Sequence, residues 1–267
     1  MFDAVRLYVR YVALSFRAQM QYRASFLMLA GGQCLITAME FLGIWALFDR
    51  FGTLEQWSLA EVAFFYGIVH VAFAVADAAS RGFDVFGAMV RTGEFDRLLL
   101  RPRSTLLQLA GRELTLRRVG RLTQGLAILL WAAWALELQW TAPKVALVLF
   151  AVAGGVCLFT GLFILQATLA FWTVETLEIV NTVTYGGVET AQFPLTIYRP
   201  WFRRFFTFVV PLACVNYFPA LAVLGKPDPL GTPAALHWLA PTVGVLFLAV
   251  TCRIWQFGVR HYHSTGS

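Results

Sequence analysis

Long apolar runs restrict this chain to a fold that crosses a membrane. Hydrophobic residues make up 59% of its 267 residues, charged residues make up 13%, and the mean hydropathy is +0.67. Soluble domains average about half apolar and a quarter charged residues, and a membrane-spanning helix needs about 20 apolar residues. The chain has room for six such spans and their loops. We therefore predict an all-α integral membrane protein with six transmembrane helices.

The apolar runs divide the chain into three predicted parts. Residues 25–261 form one membrane domain, with spans at about residues 26–48, 59–79, 119–138, 145–172, 174–193 and 238–257. Residues 1–24 precede this domain, and residues 262–267 form a short cytoplasmic tail. Gly154, Gly155 and Gly161 put small side chains on the fourth span, which predicts close contact with a neighbouring helix.

The first 24 residues spread arginines among apolar residues. Arg6, Arg10, Arg17 and Arg23 interrupt the apolar positions, and no compact apolar core with a small-residue cleavage site precedes Ser25. This pattern differs from a secretory signal and predicts an amphipathic helix on the inner face of the membrane. A solvated leader is the alternative.

The stretch from Arg81 to Arg121 is the longest polar interruption between the apolar runs. It carries most of the chain's net charge of +6, with nine arginines against four acids. These are Arg81, Arg91, Arg97, Arg101, Arg103, Arg112, Arg117, Arg118 and Arg121, with Asp84, Glu94, Asp96 and Glu113. By the positive-inside rule the stretch is cytoplasmic, and six spans then place both termini in the cytoplasm. Orientation and anionic lipid explain the basic charge, so we expect no nucleic-acid partner.

The region from residue 173 to residue 225 has two readings. Residues 174–193 are polar for a lipid-facing span, and Pro194, Pro200, Pro211 and Pro219 interrupt the apolar segment after it. In one reading residues 205–224 are the fifth span. In the other, residues 174–193 are a protein-lined fifth span and residues 205–224 form a re-entrant hairpin on the outside, since prolines break a straight helix.

Motifs for chemistry on this chain are missing from its sequence. There is no H-E-x-x-H motif, no G-x-S-x-G motif and no G-x-x-x-x-G-K-[ST] nucleotide loop. Cys34, Cys157, Cys214 and Cys252 are scattered through apolar segments, which is typical of inert buried thiols. We expect no enzyme activity, metal site or cofactor on this chain. If ATP drives it, another chain hydrolyses the ATP.

Carboxylates within the apolar runs are candidates for a substrate pathway, because ionisable groups at membrane depth face protein or water. They are Glu40, Asp77, Glu175, Glu178 and Glu189. Asp77 is expected at an interface or paired with Arg81 at i,i+4. Glu40 faces either a cavity or packed protein, and Glu175 and Glu178 are expected at the inner mouth. No cationic residue is apparent within the spans to pair with these two.

Three motifs together resemble one family of transporters. The first is Gly93–Pro102, which reads G-E-F-D-R-L-L-L-R-P, in the loop after the second span. The second is the proline-rich stretch from Gln192 through Pro200 to Pro211. The third is N-Y-F-P-A from Asn216, with the closing S-T-G-S. In this order they resemble permeases of the type-2 ABC exporter class, which is the ABC-2 type transporter family, and the third motif is similar to one bacterial subfamily of it.

The resemblance implies a permease subunit that pairs with a second permease, either a related chain or a copy of itself. Two ABC ATP-binding subunits would bind ATP and Mg²⁺ and drive export across the bacterial inner membrane. The resemblance also implies a cytoplasmic coupling helix in the loop of residues 81–118 and favours the re-entrant reading. In that reading the characteristic residues of the re-entrant region are Pro194, Pro200, Pro211, Asn216 and Pro219.

The coupling residues implied by the resemblance divide into two groups. Arg91, Glu94, Asp96 and Arg97 would orient the ATPase, Phe86, Met89, Phe95 and Leu98 would fill a groove in it, and Gly93 and Pro102 complete the set. The rival hypotheses are a proton- or ion-coupled carrier that uses Glu40, Glu175 and Glu178, and a non-transporting scaffold or enzyme. The apolar character of the chain suits lipids, amphipathic drugs or peptides as cargo.

Overall fold

The computed structural model describes residues 2–112, 118–173, 177–228 and 231–262. Within these ranges the regular structure is helical, apart from one isolated bridge between Leu54 and Trp57. The helices are α1 (Phe2–Met20), α2 (Arg23–Phe51), α3 (Leu59–Ala79), α4 (Arg81–Asp84), α5 (Phe86–Arg91), α6 (Glu94–Leu99), α7 (Thr105–Ala110), α8 (Val119–Ala135), α9 (Ala142–Leu169), α10 (Leu177–Ala191), α11 (Pro200–Arg204), α12 (Leu212–Val215), α13 (Tyr217–Leu224), α14 (Ala234–Leu239) and α15 (Thr242–Arg260). A short 3-10 helix at Leu195–Ile197 and a π-helix at Phe205–Val209 complete the set.

Four of the described helices are long and apolar enough to cross a membrane: α2, α3, α9 and α15. A bent pair, Pro200–Val209 and Leu212–Leu224, raises the number to five if it counts as one span. The 17 residues of α8 and the 15 residues of α10 are shorter than the roughly 20 that a full crossing needs. The chain is therefore an all-helical integral membrane protein with four or five candidate spans, and the count of six stays a prediction.

Local sequence explains where several helices begin and end. At the start of α3, the Ser58 hydroxyl accepts a hydrogen bond from the Glu61 N–H, and the Glu61 carboxylate accepts one from the Ser58 N–H. This capping box pairs two N–H groups that the first helical turn leaves free. Gly52 follows α2 with a positive φ of 77°, which favours glycine. Pro241 separates α14 from α15 inside the run predicted as one span, because proline has no N–H for the helix ladder.

Helix α3 occupies the centre of the bundle. Its residues from Val62 to Ala74 are buried without a break, and it packs against α8, α9 and α10. Helix α2 differs, since Thr37, Ile44 and Phe48 are the buried residues among its 29. Its remaining surface is left for lipid or for another chain.

Small residues let α9 and α15 approach closely, as the glycines of the fourth span predicted. A methyl group on Gly154 would lie 2.6 Å from the Pro241 carbonyl oxygen, and one on Gly244 would lie 2.1 Å from the Gly154 carbonyl oxygen. Both distances are far below a normal contact between a carbon and an oxygen. Helix association in membranes depends on this kind of close packing, because lipid supplies no hydrophobic driving force between helices.

The bent pair contains the proline-rich region. Its two limbs meet at an angle of 71°, with Val210 and Pro211 at the break. The Asn216 side-chain amide donates a hydrogen bond to the Ala191 carbonyl, which ties the second limb to the end of α10. A bend of this size suits a broken span and a re-entrant hairpin alike, so the choice between them stays a prediction.

Replacement of Gly244 by alanine is expected to destabilise the bundle. The added methyl group meets backbone, so α9 and α15 must separate, at a cost of about 1–3 kcal/mol in the free energy of unfolding. Thermal denaturation of the detergent-purified protein measures the effect. Gly43→Ala is the matched control, because nothing lies within 4 Å of a methyl group at Gly43. Equal melting temperatures for the two variants would contradict the close crossing.

Candidate functional site

The arginine-rich stretch folds into four short helices, α4 to α7, which we call the elbow (residues 81–110). Its turns depend on two glycines. Gly93 adopts a left-handed conformation, with a φ of 68°, between α5 and α6. Gly82 lies against α7, where a methyl group would approach the Leu109 carbonyl oxygen to 2.0 Å. The glycine in the sequence motif is therefore required by the backbone at this turn.

Aromatic rings fasten the elbow to the ends of α9 and α15. The ring centroids of Phe86 and Phe95 are 4.9 Å apart, those of Phe86 and Trp255 are 5.0 Å apart, and those of Phe171 and Trp255 are 5.1 Å apart. The indole N–H of Trp255 donates a hydrogen bond of 3.0 Å to the Thr105 hydroxyl. Because such rings pack at protein-core density, we infer that the elbow moves with these helices as one body.

The elbow's apolar side chains were expected to contact a partner subunit, but they lie inside this chain. Phe86, Met89, Phe95 and Leu98 are all buried within this chain. In this structure they hold the elbow together and do not present themselves to a groove in a partner. The sequence could not separate the two roles, since an apolar residue among charges suits an internal core and a docking surface equally.

The exposed face of the elbow is charged, with two large apolar residues, Leu99 and Leu100. Arg91, Arg97 and Pro102 are exposed, Glu94 and Asp96 are partly buried, and Leu100 is 85% exposed. Glu94 forms an ion pair of 2.8 Å with Arg112.

Helix α1 packs against this end of the elbow. A cavity of about 460 Å³ lies between α1, α6 and α7. Its lining residues are Tyr11, Glu94, Arg97, Leu98, Arg101, Gln108, Gly111 and Arg112. A methyl group on Gly111 would lie 2.6 Å from a ring carbon of Tyr11, so the two elements are in close contact.

A buried ion pair joins the two ends of the elbow. The Arg118 Nε lies 2.7 Å from an Asp77 carboxylate oxygen, and the Asp77 side chain is completely buried. Another nitrogen of Arg118 is 3.4 Å from the Gln33 side-chain oxygen in α2. Arg81, the expected partner of Asp77 at i,i+4, pairs instead with Asp84. That expectation was wrong because it considered neighbours on one helix, whereas the true partner lies 41 positions along the chain.

A second group of polar side chains lies between α2, α3, α8 and α10, and we call it the polar cluster. Its members are Glu40, Tyr66, His70, Arg121, Gln124, Glu189 and Gln192. The Tyr66 hydroxyl donates to the Thr37 carbonyl at 3.2 Å, and the Gln124 amide donates to that hydroxyl at 3.4 Å. The rings of Tyr66 and His70 are stacked with centroids 3.8 Å apart. These contacts connect α2, α3 and α8.

Hydrogen bonds continue the polar cluster towards α10. His70 Nε2 lies 3.4 Å from the Gln192 side-chain oxygen, and the Gln192 amide donates to Glu189 at 2.9 Å. The Tyr198 hydroxyl beyond donates to the Thr190 carbonyl at 3.0 Å. Burial, with a smaller contribution from the Glu189 carboxylate, raises the pKa of Tyr198 to about 12, so this phenol keeps its proton.

An apolar groove of about 630 Å³ lies between the bent pair and α15. Phe208, Val209, Leu246 and Val250 are among its lining residues. At membrane depth such a surface is compatible with lipid contact.

Comparison with known proteins identifies the family. Residues 34–266 match the family described as "ABC-2 family transporter protein", which is nearly the whole chain. The chain belongs to this family. No curated protein and no solved structure matches it. The resemblance seen in the sequence motifs is thereby confirmed, and the chain is a membrane transport permease of the ABC-2 type.

Two of the predicted pathway carboxylates lie together in the structure, and two others lie outside the part of it that is described. Glu40 and Glu189 are both in the polar cluster, although 149 positions separate them. Glu175 lies outside the described residues, and so does the side chain of Glu178. The sequence reading missed Tyr66, Arg121, Gln124 and His70 as site residues.

A usable signal existed for some of the missed residues. Arg121, Gln124 and Ile128 are separated by three and four positions, so they share a face of α8. Arg121 was counted with the polar loop, although it lies in the first turn of an apolar helix. Tyr66 and His70 are four residues apart on α3 and therefore also share a face.

Loss of the Asp77 charge is expected to destabilise the permease strongly. Asp77→Asn leaves Arg118 buried without its counter-charge, which costs about 3–5 kcal/mol in the free energy of unfolding. Glu94→Gln, which breaks the more exposed pair with Arg112, is the control and is expected to cost less than about 1 kcal/mol. Neutralising both partners in Asp77→Asn/Arg118→Gln should recover much of the loss. Thermal denaturation of all three variants provides the measurement, and a double variant less stable than Asp77→Asn would argue against the pair.

Proposed function

We propose that this permease is the membrane subunit of an ATP-driven exporter in a bacterial inner membrane. Two ABC ATP-binding subunits bind and hydrolyse ATP with Mg²⁺, and this chain carries no catalytic site or cofactor of its own. The observation that supports the proposal most is the elbow, because its core is fixed to the membrane helices while a charged face stays exposed. Membership in the ABC-2 family is consistent with an ATPase partner.

The elbow offers a physical route from a partner's movement to the membrane. Trp255 links it to α15, Phe171 links it to the end of α9, and Asp77 with Arg118 links its two ends to α3 and α8. Packed interiors resist compression, so a push on the exposed face shifts these helices together. In this proposal the coupling surface consists of exposed charges, while Phe86 and Phe95 transmit the force internally.

The proposed orientation of the permease in the membrane follows from the distribution of its charged residues. The elbow and α1 together carry eight arginines, which supports a cytoplasmic position for them and for both termini. Arg91 and Arg97 then face the ATP-binding subunit, and α1 lies beside them on the inner membrane surface. The bent pair belongs to the outer side, where it forms the re-entrant hairpin before the last span.

A second permease completes the proposed exporter. Helix α2 exposes most of its surface although it is the longest helix described, and Glu189 on α10 is exposed nearby. A charged residue at membrane depth requires cover by protein or water. A second permease, as a copy of this chain or a related one, would provide the cover, and the cargo would pass between the two subunits.

A proton- or ion-coupled carrier is the second candidate. The polar cluster favours it, because Glu40 and Glu189 lie at membrane depth and carriers use such carboxylates. Transport that continues without ATP and stops when the proton gradient is removed would support the carrier and contradict the exporter.

Charge reversal on the elbow is expected to separate the permease from its ATPase. In Arg91→Glu/Arg97→Glu two exposed cations become anions, and opposed like charges at an interface cost several kcal/mol. We expect the amount of ATP-binding subunit that co-purifies with the tagged permease to fall at least tenfold.

Arg199→Glu/Arg204→Glu is the matched control for this experiment. Both of these arginines are exposed; Arg204 lies on the bent pair and Arg199 immediately precedes it, away from the elbow. Their reversal should leave co-purification unchanged. Undiminished recovery of the ATPase with the elbow variant, or an equal loss with the control, would reject the elbow as the docking surface.

A further inference from the structure

The two carboxylates of the polar cluster have no ion-pair partner among the described residues. The ion pairs among the described residues lie elsewhere: Arg81 with Asp84, Arg112 with Glu94, Arg118 with Asp77 and Lys226 with Glu61. Glu189 accepts a hydrogen bond from Gln192, and one buried oxygen of Glu40 has no hydrogen-bond partner. The same bundle therefore pairs its acid at Asp77 and leaves Glu40 and Glu189 without an ion pair among the described residues.

Arg121 offsets only one of these two charges. Its guanidinium carbon lies 5.2 Å from the ring centroid of Phe73, so it is held by a cation–π contact. Glu40 interacts electrostatically with both Glu189 and Arg121, which places all three in one field. With a neutral His70, the described side chains of the polar cluster carry a net charge of −1.

The hydrogen-bond pattern shows that the polar cluster has acceptors without donors. A carboxylate only accepts hydrogen bonds, so Gln192 must turn its amide nitrogen towards Glu189 and its oxygen towards His70. His70 then donates from Nε2, and its Nδ1 is an acceptor. That Nδ1 has no partner although His70 is completely buried.

Gln124 shows the same imbalance. Its amide nitrogen donates to the Tyr66 hydroxyl, and its buried oxygen has no partner. Together with Glu40 Oε2 and His70 Nδ1, three buried acceptors are left without donors, against one unpartnered donor, Arg121 Nε. Unpartnered buried acceptors are costly, so the cluster is suited to a group rich in N–H donors.

Aromatic rings lie beside these acceptors. The ring centroids of Phe41 and Tyr66 are 5.3 Å apart, and those of Phe41 and Trp131 are 6.3 Å apart. Trp131 is 40% exposed, so part of this wall is accessible from the surface of the described bundle. Aromatic faces attract cations and also contact apolar groups. A ligand with an apolar body and a cationic head would satisfy both halves of the site.

We propose that the polar cluster binds the ammonium group of an amphipathic organic cation, which is the cargo class of this permease. Glu40 and Glu189 supply the negative charge, His70 Nδ1 and Gln124 Oε1 accept N–H donors, and Phe41 and Trp131 contact the apolar body. The inference rests on the proposed export function, because it names what is exported. It does not depend on how the ATPase docks.

The test uses dansylcadaverine, a fluorescent aromatic group with a primary ammonium, and its N-acetylated form, which is neutral. The permease is purified in nanodiscs with whatever subunits accompany it, and the binding of each compound is titrated by fluorescence. We expect saturable binding of dansylcadaverine and binding of the acetylated compound that is at least tenfold weaker.

The decisive variant is Glu40→Gln/Glu189→Gln, which keeps side-chain shape and removes both charges. It should raise the Kd for dansylcadaverine at least tenfold and leave binding of the acetylated compound unchanged. Glu55→Gln/Glu137→Gln makes the same chemical change at two exposed carboxylates outside the cluster and should alter neither.

Each other outcome overturns the inference. Equal binding of the two compounds would reject it, and so would an unchanged Kd in the cluster variant. Loss of the accompanying subunits from the cluster variant would also reject it, because the two acids would then be assembly contacts. The proposed function fails separately. If no ATP-binding subunit accompanies the wild-type permease, the exporter is rejected, while the binding titration still decides the ligand class.

Discussion

The buried ion pair between Asp77 and Arg118 is the constraint that fixes the rest of the structure. Two charges taken out of water cost several kcal/mol each, so each partner needs the opposite charge close by. Here the charged atoms lie 2.7 Å apart without hydrogen-bond alignment, and the Arg118 guanidinium also approaches the Gln33 side-chain oxygen of α2 at 3.4 Å. Asp77 is in the last turn of α3, and Arg118 immediately precedes α8. The pair therefore closes the elbow at its base and unites three membrane helices.

The elbow and the polar cluster are built on the same two helices. Helix α3 carries Asp77 at the elbow and His70 about two turns away, and α8 begins beside Arg118 and carries Gln124. Helical rods transmit displacement along their length, and the ion pair keeps the two rods in register. A movement of the elbow would therefore shift the cluster residues of α3 and α8 together, relative to Glu189 on α10. Docking and cargo binding are coupled in this proposal through contacts already present in one chain.

The sequence predicted the features that depend on local composition. Helices α2, α3 and α9 lie where long apolar runs predicted spans, and prolines marked the bent pair, but the break at Pro241 inside the predicted last span was missed. It failed where the partner was distant. Asp77 was expected at an interface or beside Arg81, and helical spacing could not indicate Arg118. The aromatic residues Phe86 and Phe95 were expected to contact a partner, because their internal contact, Trp255, lies some 160 positions further on. Burial in a helical bundle is a tertiary property that hydropathy alone does not contain.

The contrast between the two acidic sites separates structure from function. Asp77 and Glu40 are both carboxylates in apolar helices, but the Asp77 side chain is completely buried whereas Glu40 is partly exposed. At Asp77 the bundle supplies an opposite charge, because the Arg118 Nε lies 2.7 Å from the carboxylate, although the two are not aligned for a hydrogen bond. At Glu40 the nearby arginine is held by Phe73, and the acceptors around it point to donors that the described residues do not provide. A fold that can pair a carboxylate with an arginine, as at Asp77, has no structural need to leave Glu40 without an ion pair. The unpaired acid is therefore best explained by a visiting cation, which a permanent internal arginine would exclude.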